Sequence, residues 1–197
     1  MARDSVQKKD KTQEICLAAA EIFFTKGYNA TSLNDIADAL NITKPALYYY
    51  FASKQDLLYQ IISLGLDSVR DEVLDPAREI VDPEERLRFI IRNHARLSAG
   101  GDHAVIIISH EDNALSFQQR EEMLRRRREY FDFIRDTLAE LSDQGKVRDI
   151  DLTTATFTIL GMIIWLSRWF SPNGKMSVKD VCDGVCEMAM QGVIKHA

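Results

Sequence analysis

Apolar residues recur three and four positions apart along most of the chain, the spacing that places them on one face of an α-helix. Strand-like alternation is nearly absent, so the pattern predicts an all-α protein without a sheet. About nine helices are predicted, with approximate bounds at residues 15–26, 32–40, 43–51, 53–69, 82–97, 105–108, 116–145, 151–169 and 177–193.

Capping residues support these boundaries. Gly27 and Asn41 tolerate the left-handed backbone that ends a helix, and Asp75-Pro76 is expected to break the helix that begins at Ser53. The stretch 105–108 is β-branched enough for a strand, but it has no partner strand and is therefore assigned to a helix. Four serines have an acidic residue or glutamine three positions later, as in a capping box: Ser32–Asp35, Ser53–Asp56, Ser116–Gln119 and Ser177–Asp180.

The second and third predicted helices are too short to be stable in water by themselves. Packed on each other and on a third helix, they match the plan of a helix-turn-helix domain, whose second short helix enters the major groove of DNA. Leu47 and Phe51 are expected to face the core of that domain. The outward residues are Thr43, Lys44, Pro45, Ala46, Tyr48 and Tyr49.

These outward residues suit DNA. Thr43 and Lys44 can form hydrogen bonds with base edges, and Ala46 can touch a thymine methyl group. Tyrosine hydroxyls and Lys54 are suited to phosphate oxygens. The three consecutive tyrosines cannot all face inward, since neighbouring helix positions differ by about 100°.

Composition narrows the class of protein. The 197 residues carry a formal net charge of −5, so the molecule as a whole is not a basic nucleic-acid-binding surface. Residues 1–60 are neutral, and their lysines include Lys8, Lys9 and Lys11 before the first predicted helix. Three cysteines imply no disulfide framework. The N-terminus lacks a signal-peptide pattern and 157–170 is too short for a membrane span, so a cytoplasmic protein is expected.

Residues 27–37, 42–51 and 53–54 together resemble the signature of TetR-family repressors. The resemblance implies an all-α homodimer, with an N-terminal three-helix helix-turn-helix domain over residues 1–55 and a C-terminal helical domain for ligand binding and dimerisation over 56–197. Asn41 stands where many members carry glycine. The DNA-contacting positions that the resemblance implies are Ser32, Asn34, Lys44, Pro45, Ala46, Tyr48, Tyr49, Tyr50 and Lys54.

The last two predicted helices are candidates for the dimer interface. The helix over 151–169 is apolar nearly all round, which indicates burial on both sides. Gly161, Gly184, Ala189 and Gly192 permit close approach between helices. Two-fold pairing would place two reading helices over a palindromic operator, about 34–36 Å apart. Burial within a single chain is the alternative interpretation.

The same region contains the candidate effector site. An arginine beside two tryptophans can hold an anionic group of an otherwise apolar molecule, although a core with one solvated arginine explains the pattern as well. Residues 165–175 are similar to TetR-family repressors of fatty-acid and sterol breakdown, which implies an acyl-CoA thioester as effector, with Arg168 and Trp169 near the mouth of the pocket. The candidate residues are Tyr130, Ile134, Met162, Trp165, Arg168 and Trp169.

Such an effector would weaken operator binding if it bound better when the two reading helices are splayed apart. The helix that begins at Ser53 would link the two domains. The operator, the regulated genes and the direction of regulation are not readable from the sequence.

Other sequence features give only weak indications of a different function. Arg125–Arg128 fan around a helix, with Glu121 and Glu122 placed for ion pairs to the first two. Cys182 and Cys186 share a helix face without a local histidine or acid, and His94, His103 and His110 lack a zinc-protease spacing, so no metal, cofactor or catalytic activity is predicted. An all-helical enzyme and a helical adaptor remain the alternatives to a DNA-binding regulator.

Overall fold

The computed structural model describes residues 2–100, 103–107 and 114–195, with side chains from residue 10 onward. These residues form ten α-helices and a π-helical turn. The β structure of the described part is an isolated bridge between Val147 and Ile194. The helices are α1 (Ala2–Lys26), α2 (Leu33–Ala39), α3 (Lys44–Tyr50), α4 (Lys54–Val69), α5 (Asp75–Arg78), α6 (Pro83–Ala99), α7 (His103–Ile107), α8 (Phe117–Asp143), α9 (Leu152–Trp169) and α10 (Val178–Val193).

The predicted caps around the first three helices are confirmed. Gly27 and Asn41 have φ of +85° and +52°, so each turns the chain in the left-handed region as expected. Ser32 forms a complete capping box with Asp35 at the start of α2, and the hydroxyl of Thr43 accepts a hydrogen bond from the Ala46 amide. These bonds satisfy amide groups that have no partner within the helix.

The predicted break at Asp75-Pro76 is wrong. After α4 the chain continues through a π-helical turn over Arg70–Leu74 directly into α5. In that turn the amide of Asp75 donates to the carbonyl of Arg70, five residues earlier. Pro76 then occupies the first turn of α5, where its missing N–H group is tolerated.

The predicted start of the first helix is also wrong. Residues 8, 9 and 11 lie within α1, which begins at Ala2, instead of preceding it. Lys11 forms an ion pair of 2.8 Å with Glu14 one turn later, which supports this helical turn. The helix predicted over 105–108 is confirmed up to Ile107, where the described segment ends.

The chain folds into two compact units. The first comprises Met1–Leu66 and His103–Met123, and the second comprises Asp67–Asp102 and Leu124–Ala197. The first unit is therefore larger than residues 1–55, because most of α4 and all of α7 belong to it. The functional division into 1–55 and 56–197 is a separate assignment and stays a prediction.

The core of the first unit is assembled from all of its described helices. Ile15, Ile36, Leu47 and Leu57 are completely buried, so one residue from each of the first four helices meets the others there. A Cβ atom on Gly65 would lie 2.5 Å from the Ala104 carbonyl oxygen, so glycine permits the close approach of α4 and α7.

The second unit has its own core, built mainly by α6 against α9 and α10. Ile90, Ile91, Leu138 and Ile163 are completely buried in it. A helix that crosses a membrane must be both long and apolar, and the described part of the chain contains no helix that meets both conditions.

Candidate nucleic-acid interface

Helix α3 has one buried and one exposed face. Leu47 and Phe51 are buried in the core of the first unit, as predicted. Tyr48 and Tyr49 are 47% and 66% exposed, and Tyr49 is the more exposed of the two. Two phenol groups therefore point outward from this short helix, and the buried apolar side chains of the helix hold it in place.

Tyr50 differs from the two tyrosines before it. Its ring is half-buried, packs against the core and contacts the Tyr49 ring edge-on at 5.1 Å between centroids. The Tyr50 ring is thus placed to orient the Tyr49 ring, and its assignment to DNA contact stays a prediction. Adjacent helix positions point about 100° apart, so the third tyrosine in the row turns toward the protein.

The start of α3 offers polar and small groups together. Lys44 and Pro45 are exposed, and Ala46 is half-buried. The oxygen of Thr43 accepts a hydrogen bond from the Ala46 amide at 3.3 Å, which leaves the hydroxyl proton and a second oxygen lone pair for further partners. This arrangement allows a close approach to the edge of a base pair.

The start of α2 lies in the same unit and exposes Ser32 and Asn34. The carboxylate of Asp35 accepts hydrogen bonds from the Ser32 hydroxyl and from the Ser32 amide, the latter at 2.7 Å. The Ser32 hydroxyl bond is the main cause of the lowered pKa of Asp35, followed by the backbone bond. The cap thereby fixes the direction in which the first turn of α2 presents Asn34.

An open hollow of about 380 Å³ lies where α2, α3 and the start of α4 meet. The connection between α1 and α2 forms the remaining wall of this hollow. Five of the ten predicted DNA-contacting residues line it together, although they are up to 22 positions apart in the sequence: Ser32, Asn34, Lys44, Tyr48 and Lys54.

Lys54 has contacts that sequence reasoning did not anticipate. Its ammonium group donates hydrogen bonds of 2.7 Å to the carbonyl oxygens of Tyr28 and Thr31, and it lies 4.2 Å from the centroid of the Tyr28 ring. Tyr28 and Thr31 were outside the predicted site. The available signal was the position of Lys54 itself, because a lysine in the first turn of a helix faces the positive end of the helix dipole.

A second polar feature is buried in the second unit. The hydroxyl of Tyr130 and Nδ1 of His94 are 3.1 Å apart, and burial lowers the pKa of His94 to about 4 and raises the pKa of Tyr130. In the sequence, His94 was notable only as one of three histidines that lack a zinc-protease spacing, and it was given no role. The neutral pair forms a polar spot within an apolar interior.

The structure divides the six predicted effector residues. Tyr130 and Ile134 are buried on α8, and Met162 is half-buried on α9. The other three, Trp165, Arg168 and Trp169, are exposed on α9. Their common assignment to an effector site stays a prediction.

The exposed side of α9 is a continuous stripe, which we call the α9 stripe. Its members recur at helical spacing on the face opposite Ile159 and Ile163, and its aromatic members are 54–64% exposed. On α10, Gly184, Met188 and Gly192 are exposed one turn apart. The α9 stripe consists of Phe157, Gly161, Ile164, Trp165, Arg168 and Trp169.

Arg126, in the arginine run Arg125–Arg128 on α8, pairs with a different residue from the one expected. Arg126 forms an ion pair of 2.6 Å with Asp67. Glu122 was the expected partner of Arg126, but its carboxylate accepts a hydrogen bond of 2.7 Å from the Tyr59 hydroxyl. The helical spacing alone could not show these contacts, because both join residues about 60 positions apart.

Of the residues considered for an enzyme or metal site, His94 lies on α6, His103 on α7, and Cys182 and Cys186 on α10. Cys182 and Cys186 are buried and not disulfide-bonded, and burial is the main cause of their raised pKa values. In the part of the chain that the structure describes, no three or more histidine, cysteine or acidic side chains gather as metal ligands would. His110 lies outside the described residues.

Comparison with known proteins agrees with this arrangement. Residues 15–61 match the family profile "Bacterial regulatory proteins, tetR family", and residues 81–193 match "Tetracyclin repressor-like, C-terminal domain". The fatty acid metabolism regulator protein of Bacillus subtilis is 22% identical over 95% of this chain and 97% of its own length. The transcriptional repressor KstR2 of Mycobacterium tuberculosis is 26% identical over 100% and 99%.

Among solved structures, AibR in complex with isovaleryl coenzyme A and operator DNA superposes with a TM-score of 0.84. It is 34% identical to this chain, and the match covers 90% of this chain and 96% of AibR. Because one profile spans more than half of the chain and a second spans its helix-turn-helix, the chain belongs to the TetR family of bacterial transcriptional regulators.

Proposed function

We propose that this protein is a ligand-responsive repressor that binds a palindromic operator as a homodimer and releases it when an acyl-CoA thioester binds. The observation that carries the DNA-binding part is the division of α3, with Leu47 and Phe51 buried while Tyr48 and Tyr49 are exposed. Such a protein works where the chromosome is, so we place it in the cytoplasm.

In this proposal α3 reads the major groove. Lys44 bonds to base edges, and Pro45 and Ala46 leave room for the groove floor. The tyrosine hydroxyls and the exposed first turn of α2 hold the phosphate backbone on either side. The full set assigned to DNA contact is Ser32, Asn34, Thr43, Lys44, Pro45, Ala46, Tyr48, Tyr49, Tyr50 and Lys54.

The α9 stripe and the exposed face of α10 are the proposed dimer surface. Two tryptophans more than half exposed on one helix are unfavourable in water, and a second copy of the chain would cover them. The glycines Gly161, Gly184 and Gly192 have no heavy atom within 4 Å of an added Cβ, which leaves space for a partner helix.

The effector is proposed to bind in the second unit beside Tyr130. The Tyr130–His94 pair supplies a hydroxyl and a ring nitrogen among apolar side chains such as Ile134, and a thioester carbonyl with an apolar acyl chain requires that combination. The class of effector follows the likeness to AibR, whose structure holds isovaleryl coenzyme A.

Replacing Lys44 by alanine tests the reading helix. We expect the variant to lose discrimination at one base pair of each half-site, by about 1–3 kcal/mol, while binding to the other positions is retained. The measurement is fluorescence anisotropy with a duplex selected from random sequences by the wild-type protein, compared with its single-base variants. Unchanged discrimination at every position would contradict the assignment of Lys44, and failure of the wild type to select any duplex would favour the enzyme or adaptor alternatives.

Isovaleryl coenzyme A and longer acyl-CoA thioesters should release the selected duplex. We expect the apparent Kd for DNA to rise by about 5–150-fold, the usual range of coupling between two sites. Free coenzyme A is the control for the nucleotide part, and Tyr130→Phe is the control for the buried hydroxyl. Absence of release by any chain length would remove the acyl-CoA part and leave the DNA-binding part intact.

A further inference from the structure

We infer that α8 carries the effector response into the first unit, and that Glu122, held by Tyr59, is the positioning residue that passes this response to α4. The inference rests on the proposed function, in which the effector binds beside Tyr130. It adds a second route between the effector and the reading helix α3. The sequence had led us to expect a single route, the helix that begins at Ser53.

Helix α8 belongs to both compact units. Its residues up to Met123 are part of the first unit, and those from Leu124 onward are part of the second. Met123 is 1% exposed and packs in the core of the first unit. Tyr130 follows seven positions later, which places it on the same face of α8, two turns and about 10 Å along the helix axis. One face of one helix therefore holds both an anchor of the first unit and the proposed effector residue.

Within the first unit, hydrogen bonds join α4 to the start of α8. The Tyr59 hydroxyl on α4 donates to the Glu122 carboxylate on α8 at 2.7 Å. The side-chain amide of Gln55, one turn earlier on α4, donates to the Ala114 carbonyl at 2.6 Å. Residues 51–53 alone connect the reading helix α3 to α4. A shift at the start of α8 would therefore be passed to α4 and, through this short connection, to the end of α3.

The bond from Tyr59 fixes the position of α8 on α4 in a way that apolar packing does not. A hydrogen bond is directional, whereas the flexible side chain of Met123 adapts to small shifts of its neighbours. The 2.7 Å between the two oxygen atoms is the length of a hydroxyl group bonded to a charged carboxylate. Without this bond the core would still hold α8 in the first unit, but a shift of α8 would no longer move α4 by a fixed amount.

Four variants test this role. Tyr59→Phe removes only the donating hydroxyl group, and Glu122→Ala removes the accepting carboxylate. Glu122→Gln is the conservative variant, since its amide oxygen still accepts a hydrogen bond on a side chain of the same length. Glu121→Ala is the matched control, because it removes a carboxylate from the neighbouring exposed position of α8. Circular dichroism first establishes that each variant is folded.

The measurement is the ratio of the apparent Kd for the selected duplex with and without saturating isovaleryl, octanoyl or palmitoyl coenzyme A. In Tyr59→Phe and Glu122→Ala we expect this ratio to fall about 2–30-fold below the wild-type value, the range for residues that carry coupling between sites. The Kd for DNA alone should stay within about twofold of the wild type, as for other surface substitutions. The double variant should lose no more than either single variant, because both remove the same bond. Glu122→Gln and Glu121→Ala should keep the wild-type ratio.

An unchanged ratio in both Tyr59→Phe and Glu122→Ala would overturn the inference and leave the proposed function intact. Weaker binding of DNA alone with an unchanged ratio would show that the bond is merely structural, and would also overturn it. An equal fall of the ratio in Glu121→Ala would assign the effect to charge on α8 and not to the bond. A wild type that selects no duplex, or that none of the three thioesters releases from it, would remove the effector part of the proposed function and this inference together.

Discussion

Replacing Leu47 by alanine is expected to lower the free energy of unfolding by about 2–5 kcal/mol, the range for a buried leucine replaced by alanine. Leu47 is completely buried in the core of the first unit, together with Phe51, Ile36 and Leu57. Helix α3 has only seven residues, so it depends on this anchor more than on its own hydrogen bonds. The measurement is urea or thermal unfolding followed by circular dichroism.

Tyr49→Ala is the matched comparison on the opposite face of the same helix. Its side chain is 66% exposed, so we expect a change in unfolding free energy of no more than about 0.5 kcal/mol. Binding to the selected duplex should nevertheless weaken, because the phenol faces outward. Equal stability of the Leu47 and Tyr49 variants would show that the two faces of α3 are assigned incorrectly.

Replacing Ile164 by arginine should separate the proposed dimer. Ile164 lies in the middle of the α9 stripe, and a charge placed there would have to be buried without a partner if two copies paired through it. The variant should sediment as a monomer at concentrations where the wild type is a dimer. Its affinity for the palindrome should fall by about 10²–10⁴-fold, because the two half-sites would then be bound independently.

Ile150→Arg is the control for this prediction. Ile150 is 37% exposed, the same fraction as Ile164, but it lies before the start of α9 and outside the α9 stripe. We expect this variant to remain a dimer and to bind the palindrome like the wild type. Dissociation of both variants, or of neither, would contradict the assignment of the stripe as the dimer surface.

Local sequence signals were sufficient for the reading helix. The burial of Leu47 and Phe51, the cap at Thr43 and the left-handed Asn41 depend on residues at most a few positions apart. Helical periodicity and capping are interactions of this range, so the sequence displays them directly. Pro76 shows the limit, because its local signal for a break was overruled by a π-helical turn.

The contacts of charged and polar side chains could not be predicted in the same way. Lys54 bonds to carbonyls 26 and 23 residues away, Arg126 pairs with Asp67, and the hydroxyl of Tyr130 meets His94. Long side chains reach several partners, and the packing of helices decides which of these is near. The sequence therefore indicated that Lys54 is important and could not show which groups it binds.

By itself, the sequence determined the described helices other than α5, most of their ends and the face of α3 that points outward, because each of these follows from bonds and burial within a few residues. The tertiary structure alone decided how the chain divides into two units, which partners its polar groups take and which apolar residues of α9 remain exposed. These properties depend on residues far apart in the chain, and only folding brings them into contact.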